Sequence, residues 1–177
     1  MKRSKKIAAA LTSLTTIVAT TFATISAAPA HAADSNTSVP PEITMPGSPD
    51  GIPSAGNGPI KLFIYPASVY ALAHPGTNPQ GANNFSCKPR EGQNPVVLLP
   101  GTNFDAYASW SMYAPKLTKL GYCVFSPNFN GLKLLPSFAY TGDIRVSAKA
   151  VSGFVDRVLT ATESKRVDLI GWSQGGG

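Results

Sequence analysis

Histidine and cysteine are scarce in this chain, two of each in 177 residues. His31 falls in an amino-terminal leader, His74 stands alone, and Cys87 and Cys123 form no C-x-x-C pair. With no His/Cys cluster, a zinc site has no ligands. Acids are few as well: nine against fifteen Lys and Arg, a formal charge of +6. Four of those bases, Lys2, Arg3, Lys5 and Lys6, lie in the first 32 positions without an acid, so the remainder carries 11 − 9 = +2. There is no basic stripe and no interleaved aromatic run, so nucleic-acid binding lacks its electrostatic footprint. Lysine is also missing where a phosphate loop needs it. Gly171 and Gly176 fit G-x-x-x-x-G-K-[ST], but Gly177 occupies the lysine position. A dinucleotide fingerprint fails too, because Ser173 takes the place of its second glycine.

What is present begins with an address. After the basic start, Ile7 to Ala27 is apolar, threonine-rich and uncharged, followed by Ala28-Pro29-Ala30 and Ala30-His31-Ala32. This reads as a signal peptide, residues 1–32, cut after Ala32, and so as a secreted protein. A retained membrane anchor is the alternative, since the apolar stretch is nearly long enough to span a bilayer; after cleavage no stable membrane span is expected. In an oxidising compartment Cys87 and Cys123 pair with each other or remain two buried thiols. A bridge would contribute roughly 3–4 kcal/mol by loop closure. Residues 33–59 are rich in proline, glycine and serine and poor in large apolar residues, which predicts a flexible segment. Residues 60–177 follow as one domain. Ile60 to Ala73 turns apolar through Leu62, Phe63, Tyr65, Val69, Tyr70 and Leu72, a short packed helix or an irregular arm.

From Pro95 the pattern alternates. Val96-Val97-Leu98-Leu99 is a short apolar run suited to a strand covered on both faces. Gly101-Thr102-Asn103 makes a turn, and helix follows to Leu120 with Trp110, Tyr113, Leu117 and Leu120 on one face; Pro115 suits the first turn of a helix. Residues 122–125 are the next strand and 126–141 a loop. Ile144, Ala148, Val151, Phe154, Val155, Val158 and Leu159 recur at helical spacing, with Thr141 or Asp143 able to cap the start. Residues 167–170 then read as a buried strand. Strand–helix–strand–helix–strand predicts an α/β fold with parallel strands and crossover helices.

Gly171-Trp172-Ser173-Gln174-Gly175 follows that last strand as G-x-S-x-G. This is the pattern of a nucleophile elbow, in which a tight strand-to-helix turn displays a serine hydroxyl above a sheet. The plainer alternative is a glycine-rich loop that cradles a phosphate.

The blocks NPVVLLPGTNFDAYASW, KLGYCVF and FVDRVL…KRVDLIGWSQGGG, with GANNFSCKP at residues 81–89, resemble the secreted bacterial triacylglycerol lipases of the α/β-hydrolase superfamily, the group called class 2. The resemblance covers about residues 80–177. Cys87 and Cys123 fall where that group places a cysteine pair. Two positions depart from it: Trp172 stands where a histidine usually precedes the serine, and Pro100-Gly101 replaces His-Gly. Both border the oxyanion region without supplying nucleophile or base.

The resemblance implies ester hydrolysis through an acyl-enzyme on Ser173, with lipid or other ester substrates and no cofactor. The backbone amides of Gln174 and Thr102 match the oxyanion positions. The catalytic acid and histidine are absent from this chain, because the superfamily places them after the serine. Asp143, Asp156 and Asp168 qualify by residue type alone, and His74 lies upstream of every strand. The chain is therefore expected to be the front part of a longer hydrolase, its sheet edge open after residues 167–170, and inactive alone. An acyltransferase, a thioesterase or a polyester hydrolase would use the same elbow. A secreted non-catalytic fragment or pseudoenzyme is the reading from a different class.

Overall fold

A computed structural model describes residues 51–129, 131 and 137–177. The signal peptide expected at residues 1–32 lies outside the described residues, as does 33–50.

The centre is a three-stranded parallel sheet in the order β2-β1-β3. Strand β1 (Val96–Leu99) pairs with β2 (Val124–Phe125) on one side and with β3 (Asp168–Gly171) on the other. In the second pair Val96 lies opposite Asp168 and Leu99 opposite Gly171. Alternate residues of a strand face opposite sides. Val96, Leu98 and Val124 accordingly cluster with Trp110 and Ala114 of helices α2 (Ala106–Trp110) and α3 (Tyr113–Lys119). Val97, Leu99 and Phe125 cluster instead with Phe154 and Val158 of helix α4 (Ile144–Thr162). Helices cover both faces of β1, which is why all four of its residues are apolar and buried. The architecture is α/β.

Several expectations shift. Strand β2 is two residues long rather than four. Strand β3 begins at Asp168 and is exposed throughout, not buried, because none of its residues joins the clusters that the helices form on β1 and β2; Leu169 is 56% and Ile170 41% accessible. The helix expected to run to Leu120 is two helices, and Tyr113 and Leu120 point outward while Trp110 and Ala114 pack. In α4 the buried line is Ser147, Phe154, Val158 and Thr162, leaving Ile144 exposed. Asp143 is the residue that caps it, accepting a hydrogen bond from the Arg145 N–H at 2.8 Å.

Residues 60–73 contain helix α1 (Ile64–Ala73), and Pro66 is tolerated because it sits in the first turn, where its missing N–H has no partner to lose. The packed residues are not the large ones. Ala67 and Ala71 are fully buried against Tyr107 and Ala108 of α2, whereas Phe63, Tyr65 and Val69 face out. Small side chains let the two helices approach closely.

Residues 51–59, the end of the segment expected to be flexible, are held by backbone pairing. The Gly58 N–H donates to the Asn78 carbonyl at 2.9 Å, the Asn78 N–H to Gly56 at 2.8 Å, and the Asn128 N–H to Gly51 at 2.7 Å. The Tyr107 hydroxyl closes the set by donating to the Pro59 carbonyl at 2.6 Å. Cys87 and Cys123 form a disulfide, as a chain in an oxidising compartment permits. Beside it Lys88 donates to the Ala161 carbonyl at 2.9 Å and to Glu163 at 2.6 Å, closing the carboxyl end of α4. Among the described residues no helix is long and apolar enough to cross a membrane.

Candidate active site at the end of strand β3

Strand β3 ends in a sharp reversal. Trp172 is still extended (φ −128°, ψ 148°), and Ser173 then turns left-handed at φ 53° into a 3-10 turn, Ser173–Gly176. A non-glycine residue in that region carries local strain, of order 1–3 kcal/mol, and persists only where its surroundings impose it. The glycines on either side show what imposes it. A Cβ on Gly171 would collide with the Gly175 carbonyl, and a Cβ on Gly175 with the carbonyls of Leu99 and Pro100. The bend is folded back on itself and against the end of β1. The Gly175 N–H donates to the Trp172 carbonyl at 3.1 Å, and the Trp172 N–H to Leu99 at 3.4 Å. Ser173 is left exposed on the outside of the turn.

The loop leaving β1 meets this bend. Thr102 Oγ1 donates to Gln174 Oε1 at 2.7 Å, so the structure brings Thr102, Ser173 and Gln174 together. Among the described residues neither the Thr102 nor the Gln174 N–H has a backbone partner. The loop is fixed at Asn103, left-handed at φ 68°, whose N–H donates to Ala139 at 3.0 Å. Phe104 lies 5.3 Å from the Trp172 ring.

Beneath the loop sits a carboxyl group that sequence reasoning passed over. Asp105 is fully buried and caps α2, its Oδ1 accepting from the Ala108 N–H at 2.7 Å. Asn128 caps the same helix by accepting from Ala106 at 2.6 Å. Burial pushes the Asp105 pKa up from 3.8 to about 6, and the hydrogen bond from the Ala108 N–H offsets this only in part. An aspartate just ahead of an apolar helical run was the available signal.

The other ionisable residues weighed from sequence are engaged elsewhere. His74 stacks on Tyr70 at 4.1 Å, with Nδ1 3.1 Å from the Tyr70 carbonyl oxygen. Asp143 pairs with Arg145, Asp168 accepts from Asn94 Nδ2 at 2.9 Å, and Asp156 lies on the exposed side of α4. No group of three His, Cys, Asp or Glu able to hold a metal occurs among the described residues. Compared with family models and with curated proteins, the chain matches none.

Proposed function

We propose that this chain carries the nucleophile of a secreted serine ester hydrolase of the α/β-hydrolase type, a triacylglycerol lipase or carboxylesterase. One observation carries the reading: Ser173 is exposed in a left-handed conformation, on a bend between a parallel strand and a helical turn. Holding a serine in a strained conformation serves no packing purpose there, since the side chain is at the surface. It does serve to present a hydroxyl.

In the proposed reaction Ser173 Oγ attacks the ester carbonyl carbon while a histidine takes its proton. The tetrahedral oxyanion is held by the backbone N–H groups of Thr102 and Gln174, each such donor being worth about 3–4 kcal/mol in the barrier. Collapse releases the alcohol, which leaves with the proton, and water then attacks the acyl-serine to release the acid and restore the hydroxyl. His74 is occupied by Tyr70. The base and its carboxylate partner are therefore proposed to lie outside residues 51–177.

Fluorophosphonates phosphonylate only an activated serine. The native protein isolated from its source is expected to take up one equivalent, mapped by peptide mass to Ser173, and Ser173→Ala to take up none. The 177-residue chain alone is expected to leave p-nitrophenyl butyrate intact, because a serine without a base is too weak a nucleophile. A folded native protein whose Ser173 stays unlabelled sinks the assignment.

A further inference from the structure

Beyond the carboxyl ends of β1 and β2 lies a cavity of about 300 Å³. Its walls are Asn103 and Phe104 from the loop that carries Thr102, Ser68 and Leu72 from α1, and Phe138 from the connection after β2. Of the polar groups on its border, the two hydroxyls are already used. The Ser68 hydroxyl donates to the Ile64 carbonyl of its own helix at 2.8 Å, and the Ser137 hydroxyl to the Ala71 carbonyl at 2.7 Å. Apart from the Asn103 carboxamide, what the cavity offers a ligand is hydrocarbon surface.

The cavity and the serine bend share a wall. Asn103 follows Thr102, which is bonded to Gln174, and Phe104 lies against the Trp172 ring. Ligands of open parallel sheets bind beyond the carboxyl ends of the strands, where this cavity is. A wider groove of about 830 Å³ along the flank of β1 and β3 also reaches the bend, its walls including Leu98, Ile170, Gly171 and Trp172, and nothing in the structure shows what covers it.

We infer that the smaller cavity receives the acyl chain of the ester, making α1 a specificity element. Its volume lies at the low end for ligand pockets, which suits short and medium acyl chains and excludes long ones. The inference rests on the hydrolase reading of Ser173 and names the substrate class: esters of short- to medium-chain acids.

Leu72→Trp narrows the cavity from a position already 45% accessible, so the fold is spared. In the native protein, kcat/KM for p-nitrophenyl octanoate is expected to fall about 10-fold or more, while that for the acetate changes less than about 2-fold. Wild-type activity on the palmitate is expected to be far below that on the octanoate. Val69→Trp, on the same helix but outside the cavity, is expected to leave the profile unchanged. Equal loss on acetate and octanoate, or no loss on either, overturns the inference; fluorophosphonate labelling at the wild-type rate shows that the serine itself is intact. Should Ser173 prove unreactive, the hydrolase reading fails separately. The cavity is then judged by saturation-transfer NMR with octanoate on the Ser173→Ala protein. A signal abolished by Leu72→Trp supports binding there, and no signal, or one the variant leaves intact, refutes it.

Discussion

Gly101 and Ser173 face each other so closely that a Cβ on Gly101 would come within 3.1 Å of the serine Cβ and 3.1 Å of the Trp172 ring. Neither neighbour yields freely, since Ser173 is held by the bend and Trp172 lies against Phe104. Gly101→Ala therefore moves the serine by a few tenths of an ångström. If Ser173 is the nucleophile proposed above, small misplacements there are expensive, and fluorophosphonate labelling of the native protein is expected to slow by about 10-fold or more with the far-ultraviolet circular dichroism unchanged. Labelling at the wild-type rate would reduce Gly101 to an ordinary turn residue.

Strain at Ser173 has a stability signature. Glycine accepts φ 53° without the penalty that serine and alanine share. Ser173→Gly is expected to be about 1 kcal/mol more stable than Ser173→Ala, and no less stable than wild type. Denaturant melts of the three proteins test this. If the glycine variant is the least stable, the conformation is not strained.

Asp105 links stability to pH in an unusual direction. Its pKa is higher folded (about 6) than unfolded (3.8), so the folded state binds the proton more tightly. The stability from this group is fully present below about pH 4 and is lost as pH rises through about 6, a loss on the order of 2–3 kcal/mol. Asp143, held down to about 2 by hydrogen bonds from Arg145, acts in the opposite sense and only below its unfolded pKa near 3.8. Asp105→Asn keeps an acceptor for the Ala108 N–H, so comparing it with wild type at pH 4 and pH 7 isolates the effect. Parallel pH profiles for the two proteins would contradict it.

The disulfide ties the loop before β1 to the residue preceding β2 across 36 positions. Replacing both cysteines by serine is expected to remove about 3–4 kcal/mol in the loop-closure description. Reductant should lower the melting temperature of wild type to that of the variant and leave the variant unaffected.

How much was legible depended on whether the cause was local. The β1 strand is unmistakable because a run of four apolar residues between prolines has to be covered on both faces, and α2–α3 and α4 cover it. Strand β3 carries a similar apolar signal at Leu169 and Ile170, yet lies exposed; a run of side chains does not say whether other elements pack over it. In α1 hydrophobicity misleads, because close helix approach favours Ala67 and Ala71 over the larger residues.

The bend at Ser173 was legible in its local spacing, since the clash that excludes a side chain at Gly171 involves the backbone only four residues away, although Gly175 is held by the distant carbonyls of Leu99 and Pro100. The sequence by itself also supplied the β–α–β alternation, which follows from periodicity. Tertiary structure alone decided that Thr102 meets Gln174 across 72 residues, that Phe104 backs Trp172, and that Asp105 is sealed from water. The first two relations depend on β1 and β3 aligning Leu99 with Gly171. That register is set by hydrogen bonds between distant strands and by packing on both faces of the sheet, neither of which any local stretch of residues encodes.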